Sequence, residues 1–468
     1  MNLEHLLAGH EPQTVRYALT GANGGYARTL IAQTARTPRV AASILCDLDP
    51  EAARAAAVDA GLPAHEVVVC SSADAVRQAV SSGHTAVVAD AALLDPSHYD
   101  ILVEATGNPG FGLAASQDAL RSRRHVAMVS KEVDSVAGVH LAGLARDHGV
   151  VYTPASGDQP ANLIALVSWV RTLGLEIVAV GKSSEYDIVY DPETGVATQL
   201  HDRVEAPDLK ALLELGDDPV ATLGARRAAL EGLPVGATAD YCEMAVVASH
   251  TGYRSDTEPM HYPVARIDEL AEIYSMREDG GLIGLGGGVV DVFSALRLPG
   301  EPSFAGGVFA VVRTHDPETW TVLRGKGHVV SRDGRYACIY LPYHLMGVET
   351  PVNLLTTVLL GVGYGDPEPG RAALLAGRAV RDLAAGTVLD MGGHHHDVAG
   401  VRAILLNAAD VPRNADPAPL YLAAHATLAR DVAAGALITL DDLTGYSPEL
   451  LQAWRAGESL AKEHIRDV

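Results

Sequence analysis

Over the first 172 residues, short apolar runs alternate with helix-forming stretches. The runs at 15–20, 41–46, 66–70, 85–89, 101–105, 125–130 and 150–153 read as strands. The segments 25–36, 50–60, 73–81, 113–122, 137–147 and 159–172 read as the helices between them. Strands that are apolar throughout and separated by helices predict a parallel sheet covered on both faces. Beyond 172 the pattern changes. A strand at 176–187 leads into a less regular polar stretch (188–225), and a strongly helical segment, ATADYCEMAVVASHTG, follows at 237–252. Gly-rich GGLIGLGGG (280–288) then precedes two apolar runs, GGVFAVVR (306–313) and CIYLPYHLMG (338–347). The last hundred residues hold an internal repeat, RDLAAGTVL from Arg381 and RDVAAGALI from Arg430, 49 residues apart. Each copy reads as a short helix, a Gly turn and a strand. The expected fold is therefore α/β, a doubly wound parallel sheet followed by an α+β domain and a small β-rich module. The expected boundaries are 1–175, 176–368 and 369–468.

The most informative local motif is VRYALTGANGGYART, residues 15–29. Its apolar run stops at Thr20, passes through Gly21-Ala22-Asn23-Gly24-Gly25 and resumes as a helix at Tyr26. A strand that turns through glycines into a helix N-terminus offers backbone N–H groups and a positive dipole end to a dinucleotide pyrophosphate. The spacing departs from G-x-G-x-x-G, which would need Gly at Asn23 and Tyr26. The second strand ends at Asp47, 26 residues after Gly21, near the spacing of about 20 at which an acid meets the adenosine ribose. Asp47 also reads as a helix N-terminal carboxylate, because Asp49-Pro50 starts the next helix. Leu48, not Arg, follows Asp47, which favours NAD over NADP; Arg16 and Arg54 keep NADP open. The run ILVEATGNP ends in Ala105-Thr106-Gly107-Asn108, small residues suited to close approach of a nicotinamide. The candidate cofactor contacts are Gly21, Asn23, Gly24, Gly25, Tyr26, Asp47 and residues 105–108.

Bulk properties narrow the partners. A length of 468 residues implies more than one core. The formal charge of −23 argues against nucleic acid and anionic membrane surfaces. The four cysteines are far apart with no CxxC, as in a reducing compartment. The N-terminal residues show no secretion signal, and no apolar run reaches the ~18 residues of a membrane span. A cytoplasmic enzyme acting on a small molecule is the expectation.

Several segments together resemble the homoserine dehydrogenase-like oxidoreductases that carry a C-terminal SAF domain. "HVAMVSKE" (125–132) stands where homoserine dehydrogenases carry a strand ending in Ala-Asn-Lys, and "VVYTPAS" follows as it does there. The wider resemblance rests on "AVGKSSEYD" (179–187), "CEMAVVASHTG" (242–252), "GGVFAVV" (306–312) and "YLPYHLMGVETPVNLL" (340–355). The doubled "RDLAAGTVL"/"RDVAAGALI" matches the SAF signature. The resemblance implies a Rossmann-type first domain and a hydride passed between NAD or NADP and a small carbonyl or polyol, possibly phosphorylated. It also implies self-association into a homo-oligomer. One branch of the family resembles reductoisomerases that act on 1-deoxyxylulose 5-phosphate. Where members carry Asp-Gly-Thr-Lys-Ser, this chain has Gly236-Ala237-Thr238-Ala239-Asp240. Losing that charged pair puts the substrate in question, not the redox chemistry, and it keeps a non-catalytic nucleotide sensor as an alternative.

Carbonyl reduction needs a proton donor beside the carbonyl oxygen. Lys182, at the end of an apolar strand, is the leading candidate, with burial expected to lower its pKa; a surface lysine is the bland reading. Lys131 stands at a strand's C-terminal edge and aligns with the homoserine dehydrogenase lysine, or simply pairs with Glu132. Glu243, among apolar helix neighbours, needs a partner: Lys182, substrate hydroxyls or a divalent ion. Candidate substrate contacts are Ser183, Tyr343, His344 and Asp158, although His344 also reads as a core residue and Asp158 as an N-cap. In His394-His395-His396-Asp397 the rings of His394 and His396 would share a strand face, but a metal site needs a third ligand in good geometry; an exposed loop is the plainer reading and a divalent metal is disfavoured. Gly284–Gly288 reads as a flexible turn over the substrate.

Overall fold

The computed structural model describes residues 2–10, 13–234, 236–393, 396–411 and 415–460. The chain divides into two compact units. The first comprises the chain up to Ala161, residues 345–370 and a C-terminal stretch from Ser447; the second comprises Asn162–His344 and Arg371–Tyr446.

The first unit is built on seven strands: β1 (Val15–Thr20), β2 (Val40–Cys46), β3 (Val67–Val69), β4 (Thr85–Val88), β5 (Ile101–Glu104), β6 (His125–Met128) and β7 (Tyr152–Pro154). Their order is β3-β4-β2-β1-β5-β6-β7, parallel throughout. After a short α1 (Leu3–Ala8) the crossovers run through α2 (Gly25–Thr34), α3 (Pro50–Asp59), α4 (Ala73–Ser81), α5 (Pro109–Arg121) and α6 (Lys131–His148). The chain leaves β1 to one side for β2 and returns to its other side as β5, so the switch point of the sheet lies at the carboxyl end of β1. Buried Val, Leu, Ile and Ala on these strands and helices form one core with Leu354, Leu355 and Leu359 of the Thr350–Leu360 helix. The C-terminal helix, Pro448–Leu460, packs on α5 and α6.

Two helices begin earlier than the apolar periodicity indicates. Asn108 caps α5 by accepting from Phe111 N–H with Pro109 at the first position, so the helix starts there and not at 113. Strand β6 stops at Met128, and α6 starts at Lys131 instead of 137.

From α7 (Gln159–Thr172) the chain enters the second unit, a mixed sheet of β8 (Glu176–Ser183), β9 (Ile188–Asp191), β10 (Val196–Gln199), β11 (Asp202–Glu205), β12 (Val264–Ala265), β13 (Val289–Arg297), β14 (Val308–Arg313) and β15 (Tyr336–Leu341). The order is β11-β10-β9-β13-β8-β14-β15, with β12 beside β13. The polar stretch after β8 is thus not irregular: β9 to β11 form an antiparallel meander, followed by α8 (Pro219–Ala229). The alternating burial of β9 and β10 and the exposure of β11 mark strands that a search for continuous apolar runs passes over. The Gly-rich segment leads directly into β13, and Asp256 accepts the N–H groups of Gly284 and Leu285, fixing part of that turn.

The repeated motifs contain no helix. The two copies pair with each other: Leu383 and Val432 exchange both backbone hydrogen bonds, and Asp382 and Asp431 each accept from the other copy, at Ala434 and Ala385. An Asp that bonds a distant backbone N–H competes with a local cap, so Arg-Asp-x-Ala-Ala stays extended. Of the histidine run, His394 and His395 lie outside the described residues. No helix among the described residues is long and apolar enough to cross a membrane.

Candidate functional site

In the first unit the candidate cofactor residues gather at the carboxyl ends of β1, β2 and β5. Gly21 has φ +69°, and a Cβ there would lie 2.5 Å from the Ala105 carbonyl oxygen, so only glycine lets the β1 turn rest on the β5 exit. Helix α2 begins with Gly24 as its cap and has no side-chain hydrogen bond there. Asn23, Gly24 and Gly25 are exposed, which leaves the start of the helix open to an anion. The Asp47 carboxylate accepts from Asn23 N–H at 2.9 Å and from Asp49 N–H at 3.1 Å. It thereby ties the end of β2 to the glycine turn. Leu48 beside it is 95 % exposed.

Some predicted contacts are committed elsewhere. The Tyr26 hydroxyl is buried against Thr350 Oγ1 at 2.7 Å, leaving only its backbone for a cofactor. The Asn108 side chain is spent capping α5. Arg54 bonds the Val67 and Ala64 carbonyls, and Arg16 sits at the opposite end of β1 beside Asp100, 3.8 Å away. The β5 exit is organised by Glu104, which the sequence reading passed over. Its carboxyl takes the Thr106 hydroxyl at 2.5 Å and Thr106 N–H at 3.1 Å, and Thr20 Oγ1 lies 3.3 Å away. Burial pushes Glu104 above the usual carboxylate range. Lys131 opens α6 at the carboxyl end of β6. Asp158 accepts from Gln159 N–H.

In the second unit Lys182, near the end of β8, is almost fully buried. Gly181 before it cannot be anything larger, because a Cβ would lie 2.1 Å from the Asp291 carbonyl on β13. The Lys182 ammonium donates to Asp240 Oδ1 at 2.7 Å and to Glu243 Oε2. Both acids come from α9 (Thr238–Thr251), where i and i+3 share a face. Tyr262 donates its hydroxyl to Asp240 Oδ2 at 2.6 Å, and Ala237 N–H bonds the same oxygen at 3.0 Å. Buried Asp291 in turn holds the N–H groups of His261 and Tyr262.

Burial, the largest single influence, lowers the Lys182 pKa, but the charges and hydrogen bonds of Asp240 and Glu243 outweigh it, so the pKa is raised. The expected lowering is corrected: an isolated buried lysine loses its proton, whereas one between two carboxylates keeps it. Sequence reasoning paired Lys182 with Glu243 but missed Asp240, Tyr262 and Asp291. The Asp240–Glu243 spacing was the available signal for the first; the other two depend on strand pairing. Ser183 is buried with its hydroxyl on the Phe304 carbonyl at 2.6 Å, which spends its donor inside the sheet. Tyr343 is 47 % exposed in the loop after β15, and buried His344 Nδ1 has no hydrogen-bond partner. No group of His, Cys, Asp and Glu among the described residues has a metal-holding arrangement.

Residues 231–350 match the family model described as oxidoreductase DRL, catalytic domain. The matched span includes Asp240, Glu243, Tyr262 and Asp291. No curated protein matches the chain. Among solved structures, an oxidoreductase from Bacillus cereus is similar at 10% identity and a TM-score of 0.37, over 76% of this chain and 92% of that one. A hyperthermophilic archaeal homoserine dehydrogenase in complex with NADPH is similar at 13% identity and 0.35, over 74% and 98%. A DOX-P reductoisomerase in complex with magnesium is similar at 15% identity and 0.30, over 50% and 57%. The match to an oxidoreductase catalytic domain, over the segment that supplies the acids around Lys182, supports an enzyme of oxidoreductase type.

Proposed function

We propose that this chain transfers a hydride between a nicotinamide dinucleotide and a small carbonyl or polyol substrate. The observation that carries the reading is the open N-terminus of α2 at the switch point of a parallel sheet, with Asp47 beside it. The residues present fit the cofactor: the pyrophosphate would meet the backbone of Asn23, Gly24 and Gly25, and Asp47 the ribose hydroxyls. Leu48 offers an apolar surface at the adenine end. Arg16 and Arg54 are both committed elsewhere, which favours NAD over NADP. When bound, the cofactor supplies or accepts the hydride. Lys182, held charged, is the group we assign to donate a proton to a reduced carbonyl oxygen, with Asp240 and Glu243 orienting its ammonium. The doubled motif in the C-terminal module is read as an SAF-like domain.

A reductoisomerase is the second reading, favoured by the catalytic-domain match on the segment through which the chain resembles that branch. The test of the first reading is calorimetric titration with NAD+, NADH, NADP+ and NADPH, beside Asp47→Ala. Tight binding of NAD(H), weakened at least tenfold in the variant, is the expected result. Binding of none of the four would overturn the reading.

A further inference from the structure

Within the second unit lies a cavity of about 990 Å3 that borders the lysine cluster and whose ligand the redox reading does not specify. Its walls carry an unusual share of strained backbone. Seven described non-glycine residues have positive φ. Three of them, Leu200 (51°), Met260 (51°) and Tyr262 (49°), line this one cavity. Left-handed bulky residues persist only where the surroundings impose them, and they concentrate at ligand sites. The cavity also has an aromatic wall: the rings of Tyr241 and Tyr262 lie 5.8 Å apart, tilted by 38°.

Two arginines reach the cavity from elements distant in sequence, Arg227 on α8 and Arg402 on the Val401–Asn407 strand. Arg227 bonds the Tyr262 carbonyl at 3.2 Å. Among the described residues neither guanidinium has a carboxylate partner, although most other arginines of this unit are paired. Tyr241 lines the cavity with both of them. Asp202 and Asp397 also face the space and suit hydroxyl donors. The lining thus offers two guanidinium groups to an anion, and carboxylates and phenols to a hydroxylated body.

We propose that this cavity binds a small hydroxylated anion whose phosphate or carboxylate is held by Arg227 and Arg402. The C-terminal module thus supplies a ligand-binding residue. The bound molecule lies one hydrogen bond from the lysine cluster, since Tyr262 and Asp240 both line the cavity and Asp240 holds Lys182.

The test is calorimetry on the full chain with inorganic phosphate, glycerol 3-phosphate, D-glycerate and glycerol. Wild type is compared with Arg227→Gln and Arg402→Gln, and each variant is also titrated with NAD+. Both arginines are exposed, so the substitutions leave the core intact. Saturable binding of glycerol 3-phosphate or D-glycerate, none of glycerol, and about a tenfold loss per arginine are expected. Phosphate-only preference assigns the anion as a phosphate, and D-glycerate-only preference as a carboxylate. No saturable anion binding, or equal affinity in wild type and both variants, would overturn the proposal. NAD+ binding without anion binding refutes this inference alone, and anion binding without NAD+ binding refutes only the redox reading.

Discussion

Replacing Lys182 by Met removes one cation and strands two buried acids. The side chains of Lys182, Asp240 and Glu243 are 1%, 2% and 3% exposed, so water screens none of them. At 2.7 Å and an effective dielectric of about 20, the attraction between Lys182 and Asp240 alone is about 6 kcal/mol. Desolvation of the charges offsets several kcal/mol of this, and breaking a buried pair from one side costs about 3–5 kcal/mol. The variant should lose that much stability at pH 8 in urea unfolding followed by circular dichroism. The loss should shrink towards pH 5, because burial penalises the charged form of the orphaned carboxyls, which then take up protons that the unfolded chain still lacks. Lys182→Met/Asp240→Asn/Glu243→Gln should recover to within about 1.5 kcal/mol of wild type, since a neutral trio has no stranded charge. It should remain inactive, which separates the chemistry from the fold. A loss below about 1 kcal/mol at pH 8, or one that the triple variant fails to reverse, would refute the charged-cluster argument.

Other expectations concern the first unit. Burial pushes Asp134 from 3.8 up to about 7, with Tyr152 opposing weakly. The ionised form is the penalised one, so this group takes stability away as pH rises from about 4 to 7 and no further above that. Asp134→Asn should therefore gain on wild type across that window, by at most about 4 kcal/mol; parallel urea midpoints at pH 4.5 and pH 8 would contradict it. Gly21→Ala would drive a Cβ into the Ala105 carbonyl and demand φ +69° of an L-residue. A stability loss of about 1–2 kcal/mol and at least tenfold weaker nucleotide binding should follow, and wild-type affinity would show that the turn does not shape the site.

Much of the first unit was legible because its information is local. Runs such as Val15–Thr20 and Ile101–Glu104, buried on both faces, can form only central parallel strands, and the Gly21 turn marks where the sheet switches direction. The sequence likewise placed Lys182 at a strand end and Glu243 on a helix. It did not reveal the meander from β9 to β11, whose strands are half wet and short, nor the extended pairing of the two Arg-Asp repeats, where each Asp serves a backbone 46 or 52 residues away. The ionisation of Lys182 could not be read from Lys182 either. Burial by itself predicted a lowered pKa; the raised one comes from Asp240, 58 residues distant, and Glu243, 61 residues distant. Periodicity and turn chemistry act between neighbours, so the sequence determined which elements form. Coulomb forces and packing act through space, so only the tertiary structure decided which charges meet.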